Sequence, residues 1–205
     1  AAKPTKSPEE KKALREAARK LYTQAKKSFE QAESRFTDEL KAMPKFIEPK
    51  ERDKIEKRDQ LRRDLVQAQL LLAQATYEIA MTYEKGAKEH KETLQKAADM
   101  FGELAEKYGS RLAALYSRMW EGRCYKELGE TKKANEAFGE LLMQPDEPAA
   151  FRMLKNKALI LMLETYMLPS VKNYKAAMER VAKWEETARG SEISSQEGLA
   201  IKFLG

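Results

Sequence analysis

LYSRMWEGRCYKELGETKKANEAFGELLMQP, residues Leu115–Pro145, reads as two helices and the turn between them. Gly129 follows the last apolar position of the first helix, where a residue free to take positive φ ends it. Pro145 stops the second. Small residues at Gly122 and Ala134 let the two helices approach closely, while Tyr125, Phe138 and Leu141 fill the space between this pair and its neighbours. The spacing predicts helices over about 111–128 and 132–143.

Working outward, the same pattern recurs on both sides. Upstream, Ala80, Tyr83, Ala97, Phe101 and Leu104 occupy corresponding places, with about five extra residues in a turn around Lys88–Glu92. Downstream, Tyr166, Ala176 or Ala177, Val181 and Trp184 do so, with Pro169-Ser170 lengthening the turn. Tyr83, Tyr125 and Tyr166 recur 42 and 41 residues apart. Helix pairs at such a period are the mark of a solenoid, in which each pair buries its apolar face on the next.

In the central copy, Gly122, Tyr125, Leu128, Gly129, Ala134, Phe138, Leu141 and the closing Pro145 resemble the consensus of the tetratricopeptide repeat. Arg118 and Glu121 depart from it, standing where that family places large apolar residues. Trp120, two before the glycine, is similar to repeats of bacterial periplasmic tetratricopeptide proteins, so the expected location leans to the bacterial cell envelope. The resemblance covers about residues 70–189. It implies an all-α array with a groove lined by the first helix of each pair, where a protein or peptide is held. The positions that carry over are Tyr77, Met81 and Glu84 from the first copy, Tyr116, Met119, Arg123 and Lys126 from the second, and Lys157, Ile160 and Glu164 from the third. The clamp that some members use for chaperone C-terminal carboxylates needs Lys and Asn. Tyr77, Met81, Met119 and Arg123 stand there instead, so that ligand is not expected.

The first 65 residues lie outside the resemblance. Ser7-Pro8-Glu9-Glu10 is a helix start, with Ser as N-cap and Glu three residues on to complete a capping box. Beyond it Leu14, Ala18, Leu21, Ala25, Phe29, Ala32, Phe36, Leu40 and Met43 form one narrow stripe, suited to a single partner helix. Pro44 ends this helix. The next runs from about Lys50 to Lys85 with Gly86 as its expected cap; its first half pairs with the first helix and its apolar second half, from Val66 on, needs cover on several sides. The expected organisation is therefore a disordered leader over 1–7, an antiparallel hairpin over 8–65 whose second helix continues to about 85, three helix pairs over 66–190, and a further helix starting at Ser194-Ser195 within 191–205 and continuing past Gly205. The three pairs add helices over about 90–108, 147–167 and 171–188.

Composition narrows the role. The 205 residues carry 9 Gly, 7 Pro, one Cys and one His, which excludes a disulfide framework, a Cys-rich metal site and chemistry built on two histidines. No apolar run approaches the ~18 residues of a membrane span, and there is no Gly-rich phosphate loop, nucleophile elbow or zinc motif. No enzyme, metal or cofactor is expected. His90, in the turn, reads as a solvated residue, Cys124 as a small packing residue, and Asp146 as the N-cap of the helix that follows it.

The net charge of +6 is not spread evenly. Residues 1–63 hold 19 Lys+Arg against 12 Asp+Glu, whereas 64–205 hold 20 against 21. Binding of an anionic surface or nucleic acid by the hairpin is thus one alternative to a groove-binding scaffold; the other is a homo-oligomer, with the narrow stripe of the first helix pairing between chains instead of within one. Lys interleaved with Glu at helical spacing reads as a solvated face, and Phe29 and Phe36 belong to the stripe. Nucleic acid is therefore the less expected partner.

Overall fold

A computed structural model describes residues 7–109 and 111–204; the expected leader lies, apart from Ser7, outside them. Among the described residues there are nine helices and no strand: α1 (Pro8–Ala42), α2 (Arg52–Met81), α3 (Lys88–Tyr108), α4 (Leu112–Leu128), α5 (Thr131–Leu142), α6 (Ala149–Tyr166), α7 (Tyr174–Thr187), α8 (Gly190–Ile193) and α9 (Gln196–Leu204). The all-helical array expected from the sequence is what forms. The chain divides into two compact units, Ala1–Met100 and Phe101–Gly205.

In the first unit the capping box is complete. The Ser7 hydroxyl accepts from the Glu10 N–H at 3.2 Å and the Glu10 carboxylate accepts from the Ser7 N–H at 2.7 Å, so two of the helix's orphan donors are satisfied. Helices α1 and α2 pack along their length. The pairing is antiparallel: Glu33 accepts from Gln69 at 2.7 Å, and Arg19, earlier in α1, reaches Thr82, just after the end of α2. No residue of α1 is fully buried; stripe positions such as Phe29 and Phe36 are half-buried, while Leu14 and Leu21 are exposed. Ile47, in the connection between α1 and α2, is buried at 8% exposure.

Helix α2 ends sooner than its pattern predicts, at Met81 instead of Lys85. A side chain 63 residues away binds at this end: Arg19 donates from Nε to the Thr82 hydroxyl at 2.9 Å and from Nη2 to the Thr82 carbonyl at 3.0 Å, satisfying one of the carbonyls that a helix end leaves open. Its guanidinium also lies 3.9 Å from the centre of the Tyr83 ring. Gly86 sits in the following turn with φ +87 instead of capping α2.

The lengthened turn predicted around 88–92 is the first turn of α3. His90 is 2% exposed, not solvated, and its Nδ1 accepts from the Gly86 N–H at 3.4 Å. Leu94, Ala97 and Ala98 follow it at 0% exposure, so His90 occupies the start of an apolar face at i, i+4 and i+7/i+8.

In the second unit α4 and α5 form the tight pair that Gly122 predicts. An added Cβ at Gly122 comes within 2.6 Å of the Phe138 ring, so only glycine admits the ring. Gly129 takes φ +82 and its N–H donates to the Lys126 carbonyl, while the Glu130 N–H reaches back to the Tyr125 carbonyl at 2.9 Å, the closure that the left-handed cap provides. Helix α6 packs against α4, α5, α7 and α9. Its Leu159 and Leu163 join Ala177, Val181 and Trp184 of α7 and Ile201 of α9 in one core cluster.

Two caps differ from expectation. Pro148, joined to Glu147 by a cis peptide, is the N-cap of α6; Asp146 is drawn instead toward Arg152 and Lys155. The start expected at Ser194 is occupied by the end of the short helix α8, and Ser195 leads into α9, accepting from the Gly198 N–H at 3.0 Å. Helix α7 likewise begins at Tyr174, where the Asn173 side chain accepts from the Ala176 N–H.

Candidate functional site

The expected groove residues divide between the two units. In the first, Tyr77 is a core side chain at 2% exposure, Met81 ends α2 half-exposed, and Glu84 is exposed in the turn beyond. In the second, Tyr116, Met119, Arg123 and Lys126 lie on α4, and Lys157, Ile160 and Glu164 on α6. Steps of three and four place each set along one face of its helix.

Around Trp120 the α4 residues make a layered stack. Phe101 lies parallel to the indole at 5.7 Å between ring centres, and Tyr116 meets it edge-on at 6.3 Å. The Arg123 guanidinium covers the same indole at 4.7 Å, a geometry in which the ring's negative face attracts the cation. Met119, one residue before the indole, is 6% exposed. One turn further, the Lys126 ammonium pairs with Glu164, tying α4 to α6. Lys157 is exposed, and Ile160 packs at the margin of the core cluster. The face thus offers a partly exposed Tyr116 beside a buried indole, three cations and one carboxylate.

Beside it, Arg118 and Glu121 account for the departures from the repeat consensus. Arg118 bridges Glu121 at 2.6 Å and Glu140 on α5 at 2.9 Å. Glu121 is 8% exposed. Burial pushes its carboxyl above the ordinary range, and the Arg118 cation opposes the rise. Gly102 leaves it room, since a Cβ there lies 3.3 Å from the carboxylate oxygen.

A second polar cluster was not foreseen. Arg152 donates from Nε to Glu192 at 2.7 Å, from Nη1 to Asp146 at 3.2 Å and from Nη2 to the Thr187 carbonyl. Lys155 donates to Asp146 at 2.6 Å and to the Gln144 carbonyl at 2.7 Å. Asn156, 8% exposed, accepts from the Trp184 indole N–H at 3.0 Å and donates to Glu192 at 3.1 Å. The hydrogen bond from Lys155 holds the Asp146 carboxyl below its usual range. For Glu192 burial acts upward, but Arg152, the Arg189 N–H and Asn156 outweigh it and the carboxyl is lowered. The one signal in the sequence is that Arg152 has no acidic residue at helical spacing, in a chain whose cations mostly do.

Cys124 is 0% exposed, and burial pushes its thiol far above the ordinary value; it is a packing residue, not an activated nucleophile. Among the described residues no group of three or more His, Cys, Asp or Glu is placed to hold a metal ion, and no helix is long and apolar enough to cross a membrane. Comparison of the chain with protein-family models, curated proteins and solved structures finds no match.

Proposed function

We propose that this chain is a non-enzymatic scaffold of tetratricopeptide-like helix pairs that binds a polypeptide on the face shared by α4 and α6. The observation that carries the reading is the tie between those two helices. Lys126 and Glu164 join α4 to α6, which supports reading the Tyr116–Trp120–Arg123 stack and the exposed Lys157 as parts of one surface. Tyr, Trp and Arg on a rigid support are the side chains that dominate protein interfaces. The residues beneath are locked by packing, so little ordering cost falls on binding.

The test is selection of peptides from a random display library on the whole chain, followed by hydrogen-exchange mapping of the selected peptides. Protection is expected along α4 and α6, with affinity lost in the double substitution Arg123→Glu, Lys157→Glu. Both side chains are at least partly exposed, so the fold tolerates the change. A library that yields no binder, or binders indifferent to this pair, refutes the assignment.

Leu14 and Leu21 support a second reading, self-association through the hairpin. They stand one heptad apart on α1 and are 49% and 66% exposed, so one turn-aligned strip of the stripe is left uncovered. Light scattering on the Leu14→Lys, Leu21→Lys variant against the parent distinguishes a dimer on this surface from a monomer.

A further inference from the structure

A cavity of about 350 Å³ opens between the end of α5, the first half of α6 and the face of α7. It lies among side chains other than those of the α4–α6 face. Leu142, Leu159 and Trp184 supply its apolar lining, and Arg180 and Lys183 stand on its α7 wall. The volume is at the lower end of ligand pockets, which run about 300–1,000 Å³, and suits one or two side chains.

Two features set this cavity apart from an ordinary crevice. The first is Gly139. It lies inside α5 with helical φ, and a Cβ built on it meets nothing within 4 Å. Gly122, on the neighbouring helix, is required by the Phe138 ring; Gly139 is required by no contact and no backbone angle. A glycine inside a helix costs about 1 kcal/mol relative to alanine. Gly139 lines the cavity, and the place its side chain would take is open space.

The second feature is charge. Arg152 and Lys155, on the α6 wall, are saturated by Asp146, Glu192 and backbone carbonyls, which fixes that wall. No carboxylate of the described residues lies within ion-pair distance of Arg180 or Lys183. The cavity therefore presents an apolar base, a rigid polar wall and two cations with unspent charge.

We propose that this cavity is a binding site for an acidic peptide segment: a Leu, Ile or Phe side chain enters between Leu142, Leu159 and Trp184, while a neighbouring Asp or Glu of the peptide meets Arg180 and Lys183. The inference rests on the reading of the chain as a polypeptide-binding scaffold and adds a second contact outside the α4–α6 face.

The experiment uses the whole chain and an array of short peptides. Each pairs one Leu, Ile or Phe with an adjacent Asp or Glu, and each has a counterpart in which the acid is Asn or Gln. Gly139→Leu fills the cavity from an open position, and its melting temperature should match or exceed the parent's. Acidic peptides should bind the parent, with hydrogen-exchange protection at Gly139–Met143, Lys155–Leu159 and Arg180–Thr187. Gly139→Leu should weaken them roughly tenfold to a hundredfold, the loss of one buried apolar side chain. Arg180→Ser with Lys183→Ser leaves the cavity intact and should weaken them roughly twofold to tenfold while reducing the dependence on salt. Equal binding of acid and amide peptides overturns the proposal, as does unchanged affinity in Gly139→Leu. Protection confined to Tyr116, Arg123 and Lys157 also overturns it but leaves the scaffold reading standing. A chain that binds no peptide on the array or from the display library removes both.

Discussion

Replacing Gly122 with alanine sets two opposed effects on one position. The helix gains about 1 kcal/mol from losing a glycine in its interior. The new methyl, however, stands 2.6, 2.9 and 3.0 Å from three atoms of the Phe138 ring. Phe138 is 0% exposed and cannot swing into solvent, so the helices must part or the ring must leave its rotamer. Overpacking of this kind costs about 1–3 kcal/mol, and contact with a rigid ring belongs at the upper end. The net expectation is a loss of about 2 kcal/mol, or a fall of roughly 4–8 °C in melting temperature for a chain of this size. Gly139→Ala is the built-in comparison: it meets nothing within 4 Å and should gain about 1 kcal/mol. Phe138→Leu, combined with Gly122→Ala, removes the clash, so the double variant should be less destabilised than the two single losses added together. Denaturant unfolding followed by circular dichroism reads all four. If Gly122→Ala stabilises the chain as Gly139→Ala does, close approach of α4 and α5 is not what glycine secures at this position.

Three further outcomes follow from the second unit. Gly198→Ala directs a Cβ to within 2.0 Å of the Glu192 carbonyl oxygen, so α9 should undock, exposing Ile201 and raising hydrogen exchange over residues 196–204; unchanged protection there refutes the packing described. Cys124 should resist a thiol reagent at neutral pH until denaturant is added, because its thiol is buried and its ionisation is pushed up; fast labelling of the native chain contradicts this. Asp146 and Glu192 have lowered folded-state values, so their contribution to stability is present above the ordinary carboxyl range of about pH 4 and is lost as pH falls through the depressed values. Glu192→Gln should accordingly be less stable than the parent at neutral pH, with the gap closing in acid; a gap that widens in acid gives the wrong sign.

What was legible in the sequence is what depends on near neighbours. Ser7 and Glu10, three apart, specified their capping box. Gly129 ended α4 because its own φ allows it, and Gly122 announced the approach of Phe138. The stripe from Leu14 to Met43 told correctly that α1 has one main partner. Long-range polar contacts escaped. Arg19 reaches Thr82 at the end of α2 from 63 residues away, and Arg152 finds Glu192 at a separation of 40. No periodicity encodes such pairs, since they are fixed by where helices end up. His90 was misjudged for a related reason: its charged neighbours read as a turn, although the helical step from His90 to Leu94 already continued the apolar face. Among the expected groove positions, sequence spacing could not tell Met119, which is buried, from Tyr116 and Arg123, which are partly exposed.

The first helix has its own consequence for how this chain can vary. From Pro8 to Ala42 no residue is buried, so its attachment is the sum of many small seam contacts along α2, the Glu33–Gln69 hydrogen bond and the Arg19 tether. No one position there holds a decisive share of the stability. Substitutions along α1 should be absorbed one at a time, with losses that grow smoothly with the length of seam disturbed. The second unit behaves otherwise: around Gly122 and Gly198 one methyl group is enough to force a rearrangement. The long helix should therefore accept a rewritten surface, while the compact pairs that follow leave no room for a side chain at Gly122 or Gly198.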